Sequence, residues 1–214
     1  AETSAGFIIH RGFHSMIRYD CFEWLAPLMT DQLVVTSLSG QRVEWGHLSK
    51  READLNLGSM GNALAVGIGL ALALPHRKVF VFESDGSVLL SLFNLPTLAN
   101  LNPSNMAVFV FDNQAYSGTR ISYPSATAGK TDLAAMASGA GIEHAVTVSE
   151  LAEFKKEATV ALTQSGLRFV VCKIEESLGH RAITRSNVDL LETKYRFVRY
   201  LEQTEGKPIF QGRG

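Results

Sequence analysis

Short apolar runs alternate along the chain with longer segments that are rich in small residues. The runs contain β-branched and aromatic residues, and several are apolar at every position, which is typical of strands covered on both faces. They predict strands over residues 33–36, 78–82, 106–111, 145–148 and 169–174. Strands that alternate with helices in this way predict an α/β fold, in which a parallel sheet has helices on both faces.

The segments between these runs are longer, are rich in small residues and carry the end signals of helices. Asp132 and Ser149 are predicted N-caps, because their side chains accept hydrogen bonds from the first free amides of a helix. The predicted helices cover residues 15–25, 61–74, 88–100, 132–140, 150–165 and 189–202.

The length of the chain, 214 residues of which 46% are hydrophobic, fits one domain with extensions. We predict an N-terminal helical extension over residues 1–29, one ligand-binding domain over residues 30–203, and a flexible tail over residues 204–214. The longest apolar stretch, residues 63–74, is too short and too glycine-rich to span a bilayer. With no secretory signal evident, we expect a soluble, cytoplasmic protein.

Charge and cysteine usage narrow the function classes further. Lys and Arg number 20 against 21 Asp and Glu, without a basic block, which argues against a nucleic-acid-binding protein. Two cysteines cannot form a metal cluster by themselves, and Cys172 lies in an apolar run, where a buried structural thiol is expected.

The segment Glu83-Ser84-Asp85-Gly86-Ser87 follows a predicted strand and opens the next helix. Ligands of open α/β sheets bind beyond the carboxyl ends of the strands, where the free amides of a helix start favour a phosphate. Asp85 therefore lies at a predicted binding edge. Gly86 allows close approach of a ligand to the backbone, and Ser87 adds a hydroxyl group.

The segment Phe111-Asp112-Asn113-Gln114-Ala115-Tyr116 ends the next strand along the chain. If the two strands are neighbours, Asp85 and Asn113 emerge side by side. A carboxylate, an amide oxygen and a backbone carbonyl such as that of Ala115 suit a hard cation such as Mg²⁺. The alternative is that both segments are ordinary turns, in which Asp, Asn and Gly are common.

A third segment, Gly58-Ser59-Met60-Gly61, precedes a helix of unusually small residues. With all three segments in this order, residues 30–175 resemble the diphosphate-binding domain of the thiamine-diphosphate enzymes. The signature of that family is Gly-Asp-Gly, then a spacer, then Asn-Asn, with a Gly-Ser-Met-Gly-type segment upstream. The resemblance is closest to the separate thiamine-binding beta subunit of the sulfopyruvate decarboxylases and to the phosphonopyruvate decarboxylases.

The resemblance implies a role for each matching position. Asp85, the side chain of Asn113 and the carbonyl of Ala115 would bind the Mg²⁺ ion. The carbonyl of Gly58 would accept a hydrogen bond from the aminopyrimidine, and Met60 would support the bent conformation of the cofactor, unless it is an ordinary core methionine. The implied cofactor contacts are Gly58, Ser59, Met60, Ser84, Gly86, Ser87, Asn113, Ala115 and Tyr116.

Two positions depart from the family pattern. Ser84 replaces the first glycine of Gly-Asp-Gly, and Asp112 replaces the first asparagine of Asn-Asn. Neither position normally supplies the metal ligand, so we expect cofactor binding to persist.

The resemblance also implies a partner subunit. In this family, a Glu that hydrogen-bonds the aminopyrimidine belongs to a separate pyrimidine-binding domain, normally of a neighbouring chain. This chain is too short to contain that domain, so we expect a hetero-oligomer with an alpha-type subunit that supplies the Glu.

The expected function is therefore that of the thiamine-diphosphate- and Mg²⁺-binding subunit of a two-component 2-oxo acid decarboxylase. One alternative is a subunit of a carboligase that resembles acetolactate synthase or a split transketolase. Another is a catalytically silent scaffold subunit of the same fold.

Weaker signals remain. Gly67 and Gly69 resemble part of a dinucleotide fingerprint, but they lie inside a predicted helix, where close packing explains them better. Residues 116–129 form either a lid over the substrate or an ordinary surface loop. His10 and His14 lack a third metal ligand. Four basic side chains have two possible roles: they bind an acidic group of the substrate, or they are ordinary solvated side chains. They are Arg120, His180, Arg181 and Arg185.

Overall fold

The computed structural model describes residues 16–38, 40–116, 122–175 and 189–210. The residues that lie outside these ranges include His10, His14, Arg120, His180, Arg181 and Arg185. The helices are α1 (Arg18–Leu25), α2 (Gly40–Leu48), α3 (Ala63–Ala73), α4 (Asp85–Leu89), α5 (Asn94–Leu101), α6 (Leu133–Gly139), α7 (Leu151–Thr163) and α8 (Leu190–Glu205). The strands are β1 (Leu33–Thr36), β2 (Asp54–Asn56), β3 (Val79–Ser84), β4 (Met106–Asp112), β5 (Ala115–Tyr116), β6 (Tyr123–Pro124), β7 (Ala145–Val148) and β8 (Arg168–Lys173).

Six strands form one parallel sheet in the order β2-β1-β3-β4-β8-β7, and β5 and β6 form a separate antiparallel hairpin. The predicted α/β class with a parallel sheet is confirmed. The chain adds β2 on one side of β1 and β3 on the other, so the direction of winding reverses between β1 and β3. In open α/β sheets, a ligand crevice forms at such a reversal, beyond the carboxyl ends of the strands.

Helices cover both faces of the sheet around two apolar cores. Residues of α3, α5, α6 and α8 pack on one face. Residues of α1, α2 and α7 pack on the other, where Phe22, Trp45, Phe82 and Phe111 make edge-to-face and tilted ring contacts. Helix α1, in the predicted N-terminal extension, is thus part of this core.

The two cysteines lie within this second core. Cys21 and Cys172 are both free and buried. Burial raises the pKa of each thiol, which keeps it in the neutral form. The prediction of a buried structural thiol at Cys172 is confirmed.

Two helix predictions are wrong. The single helix predicted over residues 88–100 is divided into α4 and α5, because a continuous helix would bring the ring of Pro96 against the carbonyl of Leu92. Ser149 is not the N-cap of α7. Glu150 takes that position in a capping box with Glu153, whereas Asp132 caps α6 as predicted, with its Oδ1 accepting from the amide of Ala135 at 3.0 Å.

Helix α3 is apolar on its outward side as well as on its core side. Ala65, Gly69, Leu72 and Ala73 are exposed, and no residue of the helix is charged or polar. A helix that is apolar all round is normally buried on all sides. The outward side of α3 is therefore a candidate surface for another protein chain. Within the described residues, no helix has the length and apolar character to cross a membrane.

The two glycines of α3 differ in their surroundings, and this difference gives a test of the helix–sheet packing. A Cβ at Gly67 would lie 2.3 Å from Cγ2 of Val81, whereas one at Gly69 would meet no described atom within 4 Å. We expect Gly67→Ala to lower the free energy of unfolding by about 1–3 kcal/mol through overpacking. Gly69→Ala, the matched control, should raise it by roughly 0.5–1 kcal/mol. Urea denaturation of the two variants measures both effects, and equal values would contradict the close packing of α3 on β3.

Candidate functional site

The pairing of β3 with β4 brings the two predicted metal-binding segments together. The strands run parallel, and Ser84 lies opposite Phe111 in the ladder. The next residues, Asp85 and Asp112, therefore leave the sheet side by side at its carboxyl edge. The condition on which the predicted metal site depended, that these two strands are neighbours, is fulfilled.

Asp85 is fully buried at the start of α4. Its Oδ2 accepts hydrogen bonds from Oγ of Ser125 at 2.5 Å and from Oγ1 of Thr127 at 3.2 Å. Burial, together with the nearby charge of Asp112, raises the pKa of the Asp85 carboxyl group to about 6, against the hydrogen bonds that favour the ionised form. A bound divalent cation would reverse this balance, because its charge favours the carboxylate.

Asp112 is also fully buried, and both of its oxygens accept bonds from the protein. Oδ1 accepts from the amide of Gln114 at 2.9 Å and from Oγ1 of Thr127 at 2.7 Å. Oδ2 accepts from Nζ of Lys173 at 2.5 Å. The bond to Gln114 closes a side-chain turn in which Gln114 takes the left-handed conformation, with φ of 61°.

The turn after β4 leads directly into the hairpin of β5 and β6. Oδ1 of Asn113 accepts from the amide of Ala115 at 3.3 Å. The ring of Tyr116 lies over Gly86, where a Cβ would be 2.3 Å from Cε1 of the tyrosine. Gly86 is therefore needed for the approach of Tyr116, a neighbour that the sequence did not indicate.

The third segment, Gly58 to Gly61, reaches the same edge of the sheet. The amide of Gly61, which has a φ of 80°, donates to Oγ of Ser87 at 2.8 Å. The carbonyl of Ser59 accepts from the amide of Leu38 at 3.1 Å, in the segment that follows β1. Met60 is half-buried and belongs to neither apolar core. All three predicted segments therefore meet, as the resemblance required.

Glu83, near the end of β3, connects these segments. Sequence reasoning missed this role. It is fully buried, and its Oε1 accepts from the amide of Leu64, in the first turn of α3, at 3.1 Å. Burial raises the pKa of its carboxyl group, and the nearby hydroxyl groups of Ser87 and Ser37 limit the shift. Glu83 thus joins the end of β3 to the start of α3. An acidic residue in an otherwise apolar strand was the only sequence signal for it.

Ser84, the first departure from the family pattern, caps the short helix that begins at Asp85. Its Oγ accepts from the amide of Ser87 at 3.3 Å, and its backbone is extended, with φ of −109°, so a glycine is not needed at this position.

Ser125, Thr127 and Lys173, like Glu83, were not predicted. Ser and Thr in a loop, and a Lys at a strand end, have no pattern that distinguishes them from surface residues.

The donor atoms at this edge fit a small hard cation. Asp85 offers a carboxylate, Asn113 an amide oxygen and Ala115 a carbonyl, and oxygen ligands of this kind suit Mg²⁺, which keeps several waters or phosphate oxygens of its own. Within the described ranges, no group of three or more His, Cys, Asp or Glu side chains is placed to hold a metal ion. A cation here would therefore need ligands from a bound phosphate or water as well as from the protein.

Residues 46–172 of this chain match the family described as the C-terminal TPP binding domain of thiamine pyrophosphate enzymes. This match covers more than half of the chain, so the chain belongs to this family. The family inferred from the three segments is thereby confirmed.

Individual relatives agree with this assignment. The sulfopyruvate decarboxylase subunit beta of Methanocaldococcus jannaschii is 31% identical over 176 residues, which cover 81% of this chain and 90% of that subunit. The phosphonopyruvate decarboxylase of Streptomyces viridochromogenes is 31% identical over 169 residues, which cover 77% of this chain and 42% of that protein.

A solved structure supports the fold. Benzoylformate decarboxylase from Polynucleobacter necessarius superposes with a TM-score of 0.64 at 19% identity, over 77% of this chain and 34% of its own. The present chain thus spans about a third of that structure. The superposition confirms the α/β fold.

The raised pKa of Asp85 predicts how the stability of the metal-free protein depends on pH. The folded state holds the proton up to about pH 6, whereas an unfolded Asp releases it near pH 3.9. This contribution to the free energy of unfolding is therefore complete below about pH 4 and is lost as the pH rises through 6. Urea denaturation in EDTA should show a smaller loss of stability between pH 4 and 7 for Asp85→Asn than for the wild type.

The control for this measurement is Glu143→Gln, which changes an exposed carboxyl group and should leave the pH dependence unchanged. Glu83 and Asp54, whose raised pKa values act in the same direction, are present in all three proteins. If Asp85→Asn and the wild type lose stability in parallel, the pKa of Asp85 is not raised in the folded protein.

Proposed function

We propose that this chain is the thiamine-diphosphate- and Mg²⁺-binding subunit of a two-component 2-oxo acid decarboxylase of the sulfopyruvate or phosphonopyruvate type. The observation that supports this most strongly is the meeting of the three family segments around the buried carboxyl group of Asp85. The names of the similar proteins supply the reaction type and the substrate class.

In this proposal, Asp85, the amide oxygen of Asn113 and the carbonyl of Ala115 hold the Mg²⁺ ion, which binds the cofactor's diphosphate. When bound, the cofactor supplies the electron sink for cleavage of the carbon–carbon bond. The backbone at Gly86 and Ser87, which lies at the start of α4, would contact the diphosphate. The Ser87 hydroxyl group accepts from Gly61, so it serves mainly to hold the two segments together.

The proposal assigns the other end of the cofactor to the segment before α3. The Gly58 carbonyl accepts from the aminopyrimidine, and Met60 supports the cofactor's bent conformation. The half-buried position of Met60, outside both cores, agrees with a side chain that packs against a ligand. Ser59, Ser84 and Tyr116 complete the contacts.

The proposal includes a partner subunit with a pyrimidine-binding domain that supplies the catalytic Glu. Two observations support it. The relative from Methanocaldococcus jannaschii is named as a beta subunit, a name that implies an alpha subunit. The outward side of α3 is apolar, and the exposed side chains of Leu90 and Phe93 follow α4, so an apolar surface lies beside the proposed site.

The first test is the binding of thiamine diphosphate to the complex isolated with its partner. Asp85→Ala should abolish Mg²⁺-dependent binding in calorimetry, because the remaining protein ligands are uncharged. Glu143→Ala, which removes an exposed carboxylate, should bind as the wild type does. If Asp85→Ala retains wild-type affinity, or if the wild-type complex shows no Mg²⁺-dependent binding, the proposed function is wrong.

The second test concerns the apolar surface. Leu72 and Phe93 are exposed by 49% and 71%, so a glutamate at either position should not disturb the fold, but it would place a charge within a subunit contact. We expect Leu72→Glu and Phe93→Glu to prevent recovery of the partner with a tagged chain. Leu28→Glu, at a 44% exposed leucine near α1 on the opposite face of the sheet, should leave recovery unchanged. If each of the two variants, Leu72→Glu and Phe93→Glu, still recovers the partner fully, the partner binds elsewhere.

A further inference from the structure

The second departure from the family pattern, Asp112, is paired with a lysine on the neighbouring strand. Asp112 and Lys173 lie opposite each other in the ladder of β4 and β8, and their side chains form an ion pair. Asp112 is completely buried, and the Lys173 side chain is exposed by 18%. Lys173 thus brings a positive charge to a carboxylate that has no access to water.

The Asp112 carboxylate connects three parts of the proposed metal site. Its bond with Gln114 fixes the turn that presents Asn113 and Ala115. Its bond with Thr127 reaches the segment after β6, where Ser125 and Thr127 also bind Asp85. Its ion pair fixes the whole arrangement to the end of β8.

An asparagine at position 112 could accept from Gln114 and Thr127 through its single amide oxygen without needing a cation. An aspartate makes the same two bonds through one oxygen, but its second oxygen then carries charge in a buried position beside Asp85. A buried carboxylate without a partner is strongly unfavourable. Asp112 therefore requires a cation at the paired position, and Lys173 provides it.

We propose that Asp112 and Lys173 act as one positioning unit, which holds the turn of Asn113 and Ala115 in its metal-binding conformation and neutralises the second carboxylate of the site. This inference rests on the proposed function, because it takes Asp85, Asn113 and Ala115 to be the Mg²⁺ ligands. Lys173 does not touch the metal or the cofactor in this role. It acts through Asp112.

The alternative is purely electrostatic, and it predicts the opposite sign. If the turn kept its shape without the ion pair, removal of the Lys173 charge would leave more negative charge near the cation and would tighten Mg²⁺ binding. If the ion pair holds the turn, its removal displaces Asn113 and Ala115 and weakens Mg²⁺ binding. The sign of the change therefore separates positioning from simple charge effects.

A double-mutant cycle tests the proposal in the complex isolated with its partner. The variants are Asp112→Asn, Lys173→Met and the combination of both, and the measured quantity is the Mg²⁺ dissociation constant at saturating thiamine diphosphate, from calorimetry. We expect Lys173→Met to weaken Mg²⁺ binding by about tenfold or more, because it leaves the carboxylate unpaired. The double variant should bind Mg²⁺ more tightly than either single variant, because neither charge is then left without its partner.

Two further variants serve as controls. Lys156→Met removes an exposed lysine of α7 and should bind Mg²⁺ as the wild type does. Lys173→Arg keeps the charge and should retain most of the affinity. If Lys173→Met does not fold, Lys173→Gln, which also removes the charge but keeps a polar side chain, takes its place, and weaker Mg²⁺ binding than in the wild type supports the proposal, whereas equal or tighter binding refutes it.

The outcomes distinguish this inference from the proposed function. If the wild-type complex shows no Mg²⁺-dependent binding, the proposed function fails, and this inference fails with it. If the wild type binds Mg²⁺ but Lys173→Met binds it equally well or more tightly, or if the effects of the two substitutions simply add, the positioning unit is refuted and the proposed function stands. A loss of thermal stability in Lys173→Met without any change in Mg²⁺ affinity would also refute it.

Discussion

Two buried carboxyl groups, Asp85 and Asp112, emerge side by side where β3 and β4 end, and most of the site's construction follows from that arrangement. Like charges at close range in a buried position are unfavourable, and polar groups removed from water require partners. The chain supplies these partners from two directions. Ser125 and Thr127 donate from the segment after β6, and Lys173 donates from β8.

This requirement explains why the hairpin of β5 and β6 lies where it does. Its end is held by the hydrogen bonds from Ser125 and Thr127, and its beginning is the turn that contains Asn113 and Ala115. The ring of Tyr116 covers Gly86, so the hairpin packs over the start of α4. The residues that satisfy the buried charges therefore also shape the proposed cation site.

A second set of contacts joins this edge to the start of α3. Ser87 binds Gly61, and Glu83 binds Leu64, so the segments assigned to the two ends of the cofactor are connected through protein groups alone. A site connected in this way is organised before a ligand arrives, which lowers the cost of ordering it on binding. Its outer boundary includes apolar residues of α3 and Phe93, which lie on the surface of this chain.

The sequence by itself determined the α/β class, five of the six strands of the parallel sheet and the family, because most of these strands are continuous apolar runs and the three site segments are short and local. β1 and β7 have the predicted bounds. The sequence did not reveal α2 or β2, since Asp54 and Asn56 look like loop residues and are buried only by their neighbours in the folded chain. It predicted one helix where Pro96 enforces two.

Within the proposed site, the sequence predicted Asp85, Asn113 and Gly58 to Gly61, because each stands at the end of a strand or the start of a helix. Only the tertiary structure could assign Glu83, Ser125 and Lys173. Their partners lie far away along the chain, and what makes each of them necessary is the burial of a charge or an amide that the folded sheet creates. Local pattern indicated the groups that we propose to face a ligand, and long-range packing decided which other residues hold them in place.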